Sequence, residues 1–152
     1  MRRKQLSKAE IKEFADKLCA LYPGYQLSKK DQVELVDEKI ILINRQSSFF
    51  LREGVPVPTL RLLLKNQFLK TLVVDMGAVG FVAEGADVMR PGIVGFDNDI
   101  TEGEFVAVVD LQNRKPLAVC QAVMSSEQLK STGSGKSCKN LHHVGDEIWS
   151  VT

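Results

Sequence analysis

Gly133-Ser134-Gly135-Lys136-Ser137 has the letters of a phosphate-cradling loop, in which glycine amides wrap the phosphates and a lysine reaches them. Such a loop needs a further glycine five positions before Gly135, where Lys130 stands, and no amphipathic helix follows Ser137. Nucleotide binding is not expected there. Asp97-Asn98-Asp99 offers the oxygen ligands of a calcium loop without the glycine that turns it, so a polar hairpin turn is expected. Cys19, Cys120 and Cys138 are odd in number and far apart, which predicts free, buried thiols rather than a disulfide framework or a zinc site. His142 and His143 are adjacent, and neighbours in an extended segment point to opposite faces, so they do not share a metal. Cys138 and His142 are four apart in an irregular or strand-like stretch, a spacing that does not unite a nucleophile with a base. Gly77-Ala78-Val79-Gly80 fits a G-x-x-G tetrad only by letter. These residues assemble neither a catalytic constellation nor a cofactor site.

The remaining pattern is one of backbone shape. Asp75-Met76-Gly77-Ala78 follows an apolar run, and Gly85-Ala86-Asp87-Val88-Met89-Arg90-Pro91-Gly92-Ile93 comes shortly after. A strand, a glycine turn, one or two helical turns and a Gly-Ala entry into a second strand form a compact unit. Glycine there permits positive φ or close backbone approach, and amides at a helix start can meet a phosphate. Taken as residues alone, the pattern is first that of a tight barrel corner.

The elements that would hold these corners read as follows. Ser7-Lys8-Ala9-Glu10 is a capping box, with Leu6 and Ile11 as a hydrophobic staple. Ile11, Phe14, Ala15, Leu18 and Leu21 recur at helical spacing, so a helix is predicted over 7–21, stopped by Pro23-Gly24. Val33, Leu35 and Ile40–Ile43 predict strands with a turn at Asp37-Glu38; Ser48–Arg52 and Val55–Val57 continue them. Thr59 caps a second helix over 60–68, whose leucines on most sides predict burial between two layers. From Thr71 the texture changes to short β-rich runs: 72–74, 87–89, 93–96, 105–109, 117–123 and 148–151, with Ser125 capping a short helix. Even spacing of this kind predicts a small barrel.

Charge divides the same way. Residues 1–70 hold 14 Lys and Arg against 8 Asp and Glu; residues 71–152 hold 6 against 11. The net charge of +1 therefore conceals a basic half suited to a polyanion and an acidic half. No apolar run is long enough for a membrane span, and the basic Met1-Arg2-Arg3-Lys4 leads into helix-like sequence rather than a leader. A cytoplasmic protein is expected.

Against this background, residues 72–152 resemble a PUA domain, the module named for pseudouridine synthases and archaeosine transglycosylases. The stretches that carry the resemblance are Val74–Val79, Gly85–Ile93, Glu102-Gly103-Glu104-Phe105-Val106, Pro116–Val119, Gly135-Lys136 and Val144–Trp149, in the family's order. Glu104 and Cys120 depart from its usual Asp and Gly. Pro58–Leu63, Met124–Glu127 and Asn140–His143 are similar to the malignant-T-cell-amplified protein family and its archaeal relatives. The resemblance implies an α+β chain: a small N-terminal α/β pre-PUA domain (1–70) packed on a C-terminal PUA pseudo-barrel (71–152) of mixed, mostly antiparallel strands.

It also implies a function and a wall. Members bind structured RNA, tRNA or rRNA, and eukaryotic ones work on the small ribosomal subunit with density-regulated protein. Non-catalytic RNA binding in translation, without cofactor, membrane or DNA, is therefore expected; the alternative is a protein-interaction adaptor that no longer grips RNA. The remaining 70 residues are too few for a modifying enzyme's catalytic domain. Carried onto this chain, the wall is Gly77, Ala78, Val79 and Gly80, then Gly85, Ala86, Met89, Arg90, Pro91 and Gly92, with Ile148 and Trp149 from a last strand. Arg90 and Lys136 would meet phosphates; Lys139, Arg61, Lys65 and Arg2-Arg3-Lys4 would extend the basic surface. Such a wall needs Asp97, Asp99, Glu102 and Glu104 to lie away from it.

Overall fold

The computed structural model describes residues 2–151, which fall into two compact units: one runs to Phe68 and takes back the chain from Glu147 onward, the other is Leu69–Asp146. The first is built on a five-stranded antiparallel sheet in sequential order, β1 (Arg3–Gln5), β2 (Val33–Val36), β3 (Ile40–Ile43), β4 (Gln46–Arg52) and β5 (Val55–Pro58). Two of its turns hold non-glycine residues at positive φ, Asp37 and Glu38 and then Asn44 and Arg45. Such pairs give the twist that tight hairpins need. Asn44 is braced there by its side chain, which accepts from the Gln32 amide and donates to Asp31.

Helix α1 (Lys8–Leu21) starts at the expected capping box: Ser7 Oγ accepts from the Glu10 amide and Glu10 accepts from the Ser7 amide. The same contacts hold the Glu10 carboxyl below its usual range. Phe14, Leu18 and Tyr22 are buried, and the rings of Phe14 and Tyr22 pack on Phe49, with Tyr25 and Phe68 completing an aromatic cluster. The Tyr22 hydroxyl donates to the Pro56 carbonyl at 2.6 Å, and burial pushes its phenol pKa up. Helix α2 (Leu60–Lys65) starts from Thr59, whose hydroxyl accepts from Leu62 and donates to Ser47 of β4. It is shorter than expected, and Leu64 is 39% exposed, so the helix is not buried on all sides.

The second unit is a six-stranded mixed sheet curled into a pseudo-barrel. Its order is β7 (Val88–Met89), β11 (Lys136–His143), β10 (Pro116–Ala122), β9 (Phe105–Asp110), β6 (Thr71–Val74) and β8 (Ile93–Phe96). Only β6 and β9 run parallel; the other pairs are antiparallel. Helix α3 (Met76–Ala83) and helix α4 (Ser126–Ser131) pack on it, and Leu72, Val74, Val82, Val88, Ile93, Val106, Val108 and Leu129 belong to the core. Cys120 and Cys138 are buried side by side on β10 and β11, where burial and the neighbouring sulfur push the Cys120 thiol up. Cys19, expected buried, is exposed.

The structure changes three readings. The stretch expected as a strand near 148–151 is a short helix, α5 (Glu147–Ser150), and belongs to the first unit, so the second unit ends sooner than the expected 71–152. The cause is local: Gly145 sits at φ +85, and Asp146 accepts from the His143 amide, which ends β11 and turns the chain away. The last strand is instead β11, whose polar sequence concealed it. The three-residue β1 was likewise not foreseen, since it has no apolar face.

Candidate nucleic-acid interface

Val74 of β6 ends at Asp75, whose carboxylate accepts from the Ala78 amide at 2.9 Å and starts α3. The Asp75 amide donates to the Gly92 carbonyl at 3.0 Å, which ties the start of α3 to the turn Arg90–Gly92. A Cβ on Gly92 would stand 3.2 Å from that of Ala78, so glycine is what lets the turn and the helix approach. The two glycine corners therefore meet. Between them lies an open hollow of about 350 Å³ lined by Ala78, Phe81, Val82, Ala86, Asp87, Val88, Met89 and Gly92.

The other expected wall residues have separate fates. Gly77 and Gly80 lie on the exposed side of α3, and Pro91 is exposed at the turn. Val79 turns inward and packs on the barrel core. Gly85 enters the wall at φ +105 with His143 directly behind it. Ile148 and Trp149 belong to the first unit. They sit on α5, where the Trp149 ring lies under the Arg61 guanidinium at 4.0 Å and its carbonyl accepts from Arg61 Nε and Nη2.

Arg90 also departs from its expected role. Its Nε donates to the Leu129 carbonyl at 2.9 Å and its Nη1 to the Ile93 carbonyl at 3.0 Å, with the Phe96 ring 5.7 Å away. It is half-buried and staples β8 to α4 rather than reaching outward. Lys136 does stand at the wall, because β11 pairs Lys136 with Met89. Its ammonium is 3.0 Å from the Asp87 carboxylate. Burial alone would raise the Asp87 carboxyl, but the Asn140 amide and Lys136 more than offset it and hold it below the usual range. Lys139 is exposed on the same strand.

Sequence reasoning missed three participants. Asn140 donates to the Val82 and Ala86 carbonyls and so locks α3 to the wall. Phe81, at 70% exposure, presents apolar surface in the hollow, and Met76 is exposed at the start of α3. An α-helix with apolar residues on every side was the available signal for Phe81. Asp97, Asp99 and Glu104 lie at the other end of β6, while Asp87 lines the hollow itself. Asp97 accepts from the Thr71 amide, and Lys70 pairs with Asp99 and Glu104, which raises the Lys70 pKa. That is the start of β6, whereas α3 leaves its other end, about 10 Å along the strand.

No nucleophile and base come together here. Cys138 and His142 are four residues apart along β11, about 13 Å at strand rise. His142 bonds instead to Asp146 at 2.9 Å. Among the described residues there is no cluster of metal-ligating side chains, and no helix long and apolar enough to cross a membrane.

A mixed six-stranded pseudo-barrel with a short helix and a glycine-opened turn at one rim defines a PUA-type module. The PUA domain family model matches residues 70–144, and a Domain of unknown function (DUF1947) matches residues 2–66. An uncharacterized protein of Methanocaldococcus jannaschii is 41% identical over 95% of this chain and 93% of its own. Translation machinery-associated protein 20 of Saccharomyces cerevisiae is 31% identical (90% and 84% covered), and Malignant T-cell-amplified sequence 1 of Rattus norvegicus 32% identical (97% and 89%). The crystal structure of a hypothetical protein from Pyrococcus horikoshii OT3 superimposes with a TM-score of 0.86 at 36% identity, covering 99% of both chains. The chain belongs to this family of pre-PUA plus PUA proteins, which includes the malignant-T-cell-amplified and translation machinery-associated 20 proteins.

Proposed function

We propose that the chain is a non-catalytic RNA-binding protein of the translation apparatus, acting in the cytoplasm, and that structured RNA docks on the ledge formed by α3 and the segment Ala86–Gly92. The observation that carries this reading is the approach of Gly92 to Ala78, which leaves an open hollow at the rim instead of a filled corner. Double-stranded RNA is recognised largely by shape and backbone contact, and a shallow ledge with Lys136 at its edge suits a stem end. The tRNA, rRNA or small-subunit RNA that binds, and any density-regulated-protein-like partner, belong to the same proposal. The names of the relatives support the link to translation.

A second reading rests on a different observation. Phe81 and Met89, which line the hollow, are 70% and 50% exposed, apolar surface that also suits a protein partner. In that case the chain is an adaptor. Gly80→Glu separates the two from misfolding, because a side chain at Gly80 meets nothing within 4 Å. Anisotropy titration of the parent with tRNA and a stem-loop should show affinity falling steeply with salt, and Gly80→Glu should weaken binding about tenfold. Salt-insensitive parent binding, or a variant that binds RNA as tightly, overturns the RNA ledge. Nuclease-resistant recovery of a protein partner, lost in Gly80→Glu, would then support the adaptor.

A further inference from the structure

In the first unit, Thr59 draws the start of α2 onto the start of β4: its amide donates to the Ser48 carbonyl and its hydroxyl to the Ser47 carbonyl. The docking leaves a hollow of about 280 Å³ lined by Gln46, Ser47, Arg61, Leu64 and Lys65. Arg61 and Lys65 are one helical turn apart and share this wall. Neither has a carboxylate within 4 Å among the described residues. Ser47 is 1% exposed, and its hydroxyl is buried with no hydrogen-bond partner. A buried hydroxyl left unpaired is costly and unusual. Ser47 lines a hollow whose other polar side chains are two cations and an amide.

Arg61 is held for the task. Its Nε and one Nη2 hydrogen are engaged by the Trp149 carbonyl, and its plane is stacked on the Trp149 ring. Those bonds leave the Nη1 hydrogens and the second Nη2 hydrogen to a ligand. Lys65 bonds only to the neutral Gln46 amide oxygen, a partner that an anion would displace. We propose that this hollow is a binding site for a phosphate monoester, a function separate from the ledge on the second unit. Three side chains with donors of different kinds line it: Ser47 with its hydroxyl, Arg61 with its fork and Lys65 with its ammonium. A monoester presents three free oxygens to such a set, whereas a backbone diester presents two. A fixed guanidinium fork suits two of those oxygens at once. The group is carried either on the 5′ end of an RNA or on a small phosphorylated molecule.

The test uses the full chain and three probes: inorganic phosphate, a short 5′-phosphorylated RNA, and the same RNA with a 5′-hydroxyl. Calorimetric titration should show phosphate binding, and the phosphorylated RNA should bind about tenfold more tightly than its hydroxyl twin if the group arrives on RNA. Equal affinity for the two RNAs with phosphate still bound assigns the site to small phosphorylated molecules. Ser47→Ala removes only the unpaired hydroxyl, so it should fold as stably as the parent and bind phosphate several-fold more weakly; Lys65→Gln should do likewise. A parent that binds no phosphate, or both variants binding it as tightly as the parent, overturns the proposal. Neither outcome touches the ledge, which Gly80→Glu reports on.

Discussion

Arg90 Nε donates to the carbonyl oxygen of Leu129 at 2.9 Å, joining the turn that precedes β8 to the end of α4. A side chain expected to face phosphates is thus engaged in holding the ledge in place. Arg90→Ala removes this bond and the one to the Ile93 carbonyl, and should lower unfolding free energy by about 2 to 3 kcal/mol. Arg90→Lys keeps the charge without the fork and should recover less than half of the loss. Urea unfolding of the three proteins measures both; a loss below about 0.5 kcal/mol for Arg90→Ala would show that the staple contributes little.

Gly85 adopts φ +105, and a Cβ there would stand 2.9 Å from His143 Nε2. Gly85→Ala should therefore destabilise for two reasons, backbone strain of about 1 to 3 kcal/mol and a steric conflict. His143→Ala in the same background relieves only the second. The double variant should thus lie between Gly85→Ala and the parent in thermal unfolding. A full recovery would assign the whole effect to the contact, and no recovery would assign it to the backbone.

The Asp87 carboxyl titrates below its usual range, so its contribution to stability has a definite sign. A lowered folded-state pKa stabilises the fold above the unfolded value and loses that contribution as pH falls through the folded one. The parent should accordingly lose stability below about pH 4 more steeply than Asp87→Asn, whose side chain does not titrate. Because the Asp87–Lys136 pair is partly exposed, the difference should shrink in high salt. Denaturant midpoints from pH 7 to pH 2 check this, and parallel curves would show that the pair contributes nothing.

Asp146 accepts from the fully buried His142 ring at 2.9 Å and from the His143 amide at 2.9 Å. Asp146→Ala should cost about 2 to 3 kcal/mol and should speed amide exchange at the end of β11. Asp146→Asn keeps one acceptor oxygen and should restore about half. Unchanged exchange in Asp146→Ala would mean that the strand end is held by its neighbours on β10.

Much of this molecule was legible from local pattern. The capping box at Ser7 and the caps at Ser125 and Thr59 were readable because a cap depends on residues three apart in sequence. The strands β2 to β6 and β8 to β10 announced themselves as short apolar runs. β11 did not, because Lys136, Lys139, Asn140 and the two histidines mask its buried Ser137, Cys138 and His142. Strand identity there comes from the two strands it lies between, β7 and β10.

The sequence by itself determined the two-part organisation, most element boundaries and the two glycine corners, all of which rest on short-range constraints of capping, turn and alternation. Only the tertiary structure decided what the long side chains do. Arg61 lies on Trp149, Arg90 on Leu129 and Lys136 on Asp87, and each of these partners is remote in sequence from its cation. It also decided that Ile148 and Trp149 leave the second unit, since a helix and a strand of four residues look alike until their neighbours fix them. A flexible cation has many acceptors within reach, and the fold selects one by bringing it close at little cost in conformational freedom.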